Sequence, residues 1–207
     1  MSIAGTAAYA DLEDLPPLVD AAVRLARESG FAYSCLPEQG GLLRLLARGV
    51  REGGVIGETG TGCGVGLAWL AEGARAGTRL VSVERDADRA ARAAALFDGR
   101  PEVEVLSGDW CSLREYGPFD LLVLDGGGQG KGEAAAEAAD PAGWLRPGGL
   151  LVMDDFSPLT QWPPLFQGRV DDARVHWLTH PSLRATQINV TPEASTLLAT
   201  FPLPSTP

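Results

Sequence analysis

The chain of 207 residues is poor in lysine: Lys131 is the only one, and the other sixteen of its seventeen basic residues are arginines. Set against 27 acidic residues, they leave a formal net charge of −10 and a pI near 4.6. That balance argues against nucleic acid or any other polyanion as partner, because proteins that bind one normally display a basic face. A small molecule is the expected ligand. No run is apolar for long enough to span a bilayer, so no membrane partner is expected. The start, MSIAGTAAYADLED, carries acidic rather than basic residues, so it is not expected to be a signal peptide, and the expectation is a cytoplasmic protein. The three cysteines, Cys35, Cys63 and Cys111, are an odd number without metal-ligand spacing, and are expected to pack as small apolar residues. His176 and His180, the only two histidines, stand four apart with no supporting acid. A cation near a helix C-terminus explains them better than a metal site.

The length suits one domain with a sizeable core. Residues 1–54 are expected to supply N-terminal helices that cover a site, and 55–207 the core that builds it. Apolar and charged fractions of 45% and 21% are those of an ordinary globular protein.

Val55 to Gly66, VIGETGTGCGVG, organises the rest. An apolar lead, the carboxylate Glu58 and glycines at 60, 62, 64 and 66 before the run Leu67 to Ala74 give the sequence form of strand, tight turn and helix. The third glycine of a dinucleotide fingerprint is missing, since Val65 and Leu67 stand where it would fall, and a phosphate-binding loop would need a Lys-Ser/Thr end. An acid two residues before the first glycine suits a ligand with positive charge. S-adenosylmethionine carries both a sulfonium and an ammonium.

Upstream, Asp14 is expected to cap a helix with Pro16 and Pro17 in its first turn and Gly30 at its end, and Pro37 to open a second helix. The aromatic loop between them, with Phe31 and Tyr33, is placed to roof a site. Downstream, RLVSVE ends in Glu84 followed by Arg85, 24 residues beyond Gly60, where an α/β domain places the acid that takes two ribose hydroxyls. Val103 to Leu106 leads into Ser-Gly-Asp-Trp, in which Asp109 can accept from an adenine amino group and Trp110 can wall the ring. FDLLVLD, Phe119 to Asp125, reads as a central strand buried on both faces. Behind it Gly126 to Gly132 reads as a mobile loop, Glu133 to about Ala139 as a helix, and Leu145-Arg146-Pro147-Gly148-Gly149 as a turn into a strand ended by Asp154 and Asp155. The proline-rich stretch Gln161 to Phe166 reads as a loop, Asp171 opens a last helix, and two short strands close the chain as an antiparallel pair. Strands that alternate with helices and repeatedly end in acid describe a doubly wound α/β sheet. Its ligands lie outside the strands' C-terminal ends, where Glu58, Glu84, Asp109, Asp125 and Asp154 converge.

With Glu58-Thr59-Gly60-Thr61-Gly62-Cys63-Gly64, Glu84, Gly108-Asp109-Trp110, Phe119 to Asp125 and the LRPGGLLVMDD stretch in place, the chain resembles the class I S-adenosylmethionine-dependent methyltransferases. Within them it is similar to small-molecule O-methyltransferases of the catechol type. The resemblance implies a Rossmann-like seven-stranded sheet in the order 3-2-1-4-5-7-6 with strand 7 antiparallel. It implies S-adenosylmethionine bound by Glu58, Gly60, Thr61, Gly62, Gly64, Glu84, Arg85, Asp109, Trp110, Asp125 and Gly126, a small-molecule acceptor, and compatibility with a homo-oligomer. It further implies a magnesium ion on Asp125, Asp154 and Asp155, with catalytic roles for Asp125 and Asp154. Asp155 departs from the family's Asn, and Gly128 stands where the family has its catalytic lysine. Lys131, three residues on, is the substitute expected to reach in. Two alternatives stay open at this level: metal-free transfer to nitrogen or another nucleophile, with Asp154 and Asp155 merely capping a helix, and a cofactor-binding module with degraded catalysis.

Overall fold

A computed structural model describes residues 5–131 and 138–203. In chain order they form α1 (Pro17–Glu28), α2 (Pro37–Gly49), β1 (Val55–Thr59), α3 (Val65–Gly73), β2 (Arg79–Glu84), α4 (Ala87–Ala95), β3 (Val103–Ser107), a 3-10 helix (Trp110–Tyr116) and β4 (Phe119–Leu124). There follow α5 (Pro141–Trp144), β5 (Leu145–Phe156), β6 (Leu165–Phe166), β7 (Arg169–Val170), α6 (Asp172–Thr179), β8 (Arg184–Asn189) and β9 (Ser195–Thr200). The main sheet runs β3-β2-β1-β4-β5-β9-β8. Counted within that sheet alone, this is the order 3-2-1-4-5-7-6. β1 to β5 are parallel, and β9 is antiparallel to both its neighbours.

The apolar run of β4 has no solvent face because helices cover both sides of the sheet. Leu121 and Val123 pack into a cluster with Val19, Val23 and Ala26 of α1, Leu43 of α2 and Leu67 and Leu70 of α3. Their alternates Leu122 and Leu124 join Leu113, Trp144 and Trp177 on the opposite face. Each such side chain contributes roughly 1.5–3 kcal/mol when fully buried, so the centre of the sheet is also its most stable part. α1 and α2 are therefore bound to the core through α3 and do not stand apart from it. No helix among the described residues is long and apolar enough to cross a membrane.

Several local expectations are corrected. α1 is preceded by Pro16 as its N-cap, whereas Asp14 holds a left-handed conformation (φ 61°) and caps nothing. The LRPGG stretch lies inside β5, whose pairing with β4 shifts register between Phe119 and Leu121, so the two glycines form an irregularity in a strand. The stretch after Gln161 contains a small hairpin, β6 with β7. Most of the helix expected from Glu133 falls on residues 132–137, outside the described residues, and Ala138 and Ala139 are not helical. Cys35 and Cys63 are buried as expected, but Cys111 is exposed. His180 does end α6, and its ring lies 5.1 Å from that of His176.

Candidate active site

A cleft at the C-terminal rim of the parallel strands is lined by Glu58, Glu84, Asp109, Asp125 and Asp154, the five strand-end acids, together with the glycine loop. Gly60, Thr61, Gly62, Arg85, Trp110 and Gly126 also line it, but Gly64 does not. Gly64 is instead the left-handed N-cap of α3 (φ 86°), a backbone conformation that glycine adopts without strain. The roof comes from the loop before α2: Phe31, Tyr33, Ser34 and Cys35 face the cleft. That loop is stitched to the N-terminal segment, because Thr6 Oγ1 donates to Phe31 O at 2.7 Å and its hydroxyl meets that of Ser34 at 2.8 Å.

On the β1–β2 side every acid has a partner. Glu84 is 7% exposed. Its Oε2 accepts from Gly62 N–H at 2.9 Å, and its Oε1 from Asp86 N–H and Arg89 Nη1, each at 2.9 Å. The carboxylate thus fixes the glycine loop, and of its lone-pair sites the one left for a ligand is on Oε2. Arg89 also stacks over Phe31 at 4.9 Å, joining Glu84 to the roof. Glu58 lies deeper. Its Oε2 accepts from Ser82 Oγ at 2.5 Å, and the Ser82 hydroxyl meets that of Thr61 at 2.6 Å. Burial pushes the Glu58 carboxyl up to about 8, with Ser82 pulling it down and the charges of Asp154 and Glu84 adding to the rise. Asp109 is exposed and caps the 3-10 helix by accepting from Cys111 N–H at 3.0 Å. Trp110 is half-buried and stacks on Trp144 at 5.4 Å.

The two halves of the rim meet backbone to backbone. A Cβ on Gly60 would stand 2.5 Å from Gly126 Cα, and one on Gly126 would stand 2.3 Å from Gly60 Cα. Thr59 sews this seam: its carbonyl accepts from Asp125 and Gly126 N–H at 3.1 and 2.7 Å, and its hydroxyl donates to Gly127 O at 2.9 Å. In the glycine-rich segment beyond, Gln129 has partners on both sides. Gln129 donates through its amide to Leu124 O, and Gln129 O accepts from Trp177 Nε1 at 2.8 Å.

On the β4–β5 side, one carboxylate oxygen from each of Asp125, Asp154 and Asp155 lies within 4.8 Å of the others. Asp125 Oδ1 and Asp154 Oδ1 are buried and have no hydrogen-bond partner. Burial, then the neighbouring Asp154, push Asp125 well above the usual carboxylate range, and burial raises Asp154 against the pull of Lys131. Asp155 is left-handed (φ 62°), a conformation that asparagine and aspartate tolerate better than other side chains. Neither Asp154 nor Asp155 caps a helix, since the next begins at Asp172 and is capped by Asp171. Lys131 does not line the cleft, but its Nζ donates to Asp154 O at 2.9 Å and sits 3.8 Å from the centre of the Phe156 ring. Burial lowers its pKa, against the charges of Asp154 and Asp125.

Sequence reasoning missed Ser82, Arg89 and Gln39. Ser82 carried one usable signal, because it is the direct register partner of Glu58 across β1 and β2. Arg89 and Gln39 sit in ordinary helical sequence.

The sequence profile of a family described as a methyltransferase domain matches residues 58–156, from Glu58 to the end of β5. A comparison with curated proteins finds no match. Solved structures resemble the chain along almost its whole length. An O-methyltransferase from Bacillus cereus, in complex with S-adenosylhomocysteine, is 20% identical with a TM-score of 0.70, over 95% of this chain and 96% of that one. The O-methyltransferase TomG from Streptomyces achromogenes, in complex with S-adenosylmethionine, is 22% identical with a TM-score of 0.71, over 96% of this chain and 95% of that one. A structure described as a putative O-methyltransferase from Klebsiella pneumoniae gives 22% and 0.71, over 96% of each chain. At such identities the structural likeness speaks for the fold. The profile match adds that residues 58–156, from the glycine loop through the acid-tipped strands, are similar to a methyltransferase domain.

Proposed function

We propose that the chain transfers the methyl group of S-adenosylmethionine to an oxygen of a small organic acceptor, assisted by a divalent cation, magnesium, on Asp125, Asp154 and Asp155. The observation that carries the metal is the pair of buried, unpartnered oxygens, Asp125 Oδ1 and Asp154 Oδ1, beside a third carboxylate. Like charges packed this closely need a counter-charge or a proton, and a hard cation with oxygen ligands supplies the first. Held there by Asp125, Asp154 and Asp155, such an ion would supply Lewis-acid chemistry that lowers the pKa of an acceptor hydroxyl.

The chain's own residues do the rest. Glu84 faces the ribose hydroxyls, with Gly62 and Arg89 holding it in place. The backbone of Gly60 to Gly62, with Thr61, forms the floor, and Glu58 lies beneath it. Arg85 and Gly126 complete the walls, Asp109 and Trp110 frame the base, and the loop from Phe31 to Cys35 closes the roof, so residues 1–54 and the sheet act as one unit. Methyl transfer is an in-line displacement, and the protein's main contribution is to hold donor and acceptor at the right distance and angle. Lys131 takes a secondary part as proton acceptor: burial favours its neutral form, and its amine stands against Asp154. That position compensates for Gly128.

The test is methyl transfer from S-adenosylmethionine to a panel of hydroxylated aromatic acceptors, before chelation, after chelation, and after magnesium is returned. Loss of turnover on chelation and its recovery with magnesium are expected. Turnover indifferent to both treatments would remove the ion from the mechanism.

A further inference from the structure

Three buried side chains on the β1–β2 side of the rim form a hydrogen-bonded chain with a forced direction. Ser82 of β2, which is 0% exposed, lies between Glu58 of β1 and Thr61 of the glycine loop, each 3% exposed. Its Oγ donates to Glu58 Oε2 at 2.5 Å and stands 2.6 Å from Thr61 Oγ1. A hydroxyl has one proton to donate. With Glu58 ionised, the Ser82 proton points at the carboxylate, so the Thr61 proton has to point at Ser82. Thr61 then offers an acceptor, and no proton, to the cleft it lines. With a proton on Glu58 Oε2 the order reverses: Glu58 donates to Ser82, Ser82 donates to Thr61, and the Thr61 hydroxyl is free to donate. The charge of Glu58 and the polarity of Thr61 are thus two ends of one chain.

Glu58 makes no other hydrogen bond among the described residues. The groups that face it are acids and a thiol: Glu84 from β2, Asp125 from β4, Asp154 from β5 and Cys35 from the roof. Asp154 also borders a second opening, lined by Gln39 at the start of α2 and Glu193 in the turn between β8 and β9. Two arginines line the cleft, Arg85 and Arg89, and Arg89 is held by Glu84 at 2.9 Å. Burial among acids favours the neutral carboxyl, whereas a hydrogen bond donated to the carboxylate favours the charged one. Ser82 supplies the second influence.

S-adenosylmethionine and S-adenosylhomocysteine differ by one methyl group and one positive charge. A neutral carboxyl with a donor above it discriminates little between them, and a carboxylate with an acceptor above it favours the cation. We propose that Ser82 is the positioning residue by which this cleft prefers the methyl donor to the demethylated product: its hydroxyl sustains the charge on Glu58 and turns Thr61 into an acceptor. The inference rests on the methyltransferase reading and adds to it a means of letting the product go. Loss of the positive charge on transfer removes the share of the affinity that Ser82 sustains, while Glu84 stays as it was.

Calorimetric titration with S-adenosylmethionine and with S-adenosylhomocysteine, near neutral pH and with magnesium present, gives a donor-to-product affinity ratio for wild type, Ser82→Ala, Glu58→Gln and the double variant. Ser82→Ala should lower that ratio by about three- to tenfold. Glu58→Gln should lower it at least as far, and the double variant no further than Glu58→Gln alone. A serine that served only the fold would weaken both ligands alike and leave the ratio standing. Thr61→Val, close in shape, cuts the far end of the chain and should lower the ratio as well, which keeps the proposal open to refutation if Ser82→Ala fails to melt cooperatively. A ratio unchanged in a folded Ser82→Ala or Thr61→Val protein, or lowered by Ser82→Ala as much in the Glu58→Gln background as in wild type, would overturn the proposal and leave the methyltransferase reading intact. Binding of neither ligand to wild type would overturn both.

Discussion

Acids tip the strands on both sides of the rim, in opposite circumstances. Under the glycine loop, Glu84 accepts three hydrogen bonds and Glu58 one short bond from Ser82. Under β4 and β5, Asp125 and Asp154 each bury an oxygen that nothing satisfies. The first half is preorganised and needs only its ligand's hydroxyls. The second holds closely packed carboxylates that need a proton or a counter-charge. The contrast shows how one sheet edge can hold a cofactor that recurs across a family and a site whose occupant defines the individual enzyme: the fixed half is satisfied by the chain, the variable half by what it binds.

The largest effect should come from the unsatisfied half. Asp154→Ala removes a cation ligand and is expected to lower magnesium-dependent turnover by at least about a hundredfold while leaving S-adenosylhomocysteine affinity near wild type. Turnover close to wild type would erase the difference between the halves. Next is the satisfied half. Glu84→Ala deletes a charge-assisted bond to the ribose and frees the loop at Gly62, so calorimetry should show a loss on the order of 1.5–3 kcal/mol for S-adenosylhomocysteine. Unchanged affinity would mean that its bonds to the chain are its whole role.

Glu58 tests whether partnering extends to charge. Its folded-state pKa, about 8, lies above the ordinary 4.5. Between those values the folded protein holds a proton that the unfolded chain has released, so its contribution to stability falls as pH rises through that window and is fully lost above about 8. Melting of the ligand-free protein across the window should show a decline that Glu58→Gln flattens. Identical slopes would place Glu58 among ordinary ionised carboxylates. The smallest effect belongs to Asp109. If it accepts from the adenine amine, Asp109→Ala should cost roughly 0.5–1.5 kcal/mol for S-adenosylhomocysteine and nothing for the inosine analogue. Equal losses would assign the residue to capping the 3-10 helix.

Much of this was legible in the sequence because the signals were local. Periodicity, apolar runs and turn glycines encode strand order through the alternation of β and α, and each strand-end acid is read where its strand stops. What escaped depends on contacts distant in sequence. Lys131 reaches Asp154 across 23 residues, and Gln39 and Thr196 lie 157 apart. No spacing rule links a helix start to a terminal strand. The LRPGG stretch reads as a turn because proline and glycine mark turns; it falls within β5, but Gly148 is left-handed (φ 82°) and the pairing with β4 jumps from Leu145 to Leu150 while β4 advances from Phe119 to Leu121, so the turn is accommodated inside the strand. Asp14 resembled a cap by type and position, but its left-handed backbone leaves that role to the proline after Leu15.

The apposition of Gly60 and Gly126 bears on how such an enzyme can change. Neither position has room for a methyl group, so the loop under the donor and the strand carrying Asp125 cannot drift apart or slide past one another by degrees. The inner wall behaves as a fixed ruler. Latitude remains only on the outer wall, at α2 and the β8–β9 turn, where substitutions can reshape the opening without resetting the scale against which transfer distance is measured. New selectivity can therefore be inherited in small steps on one wall while reach is conserved on the other.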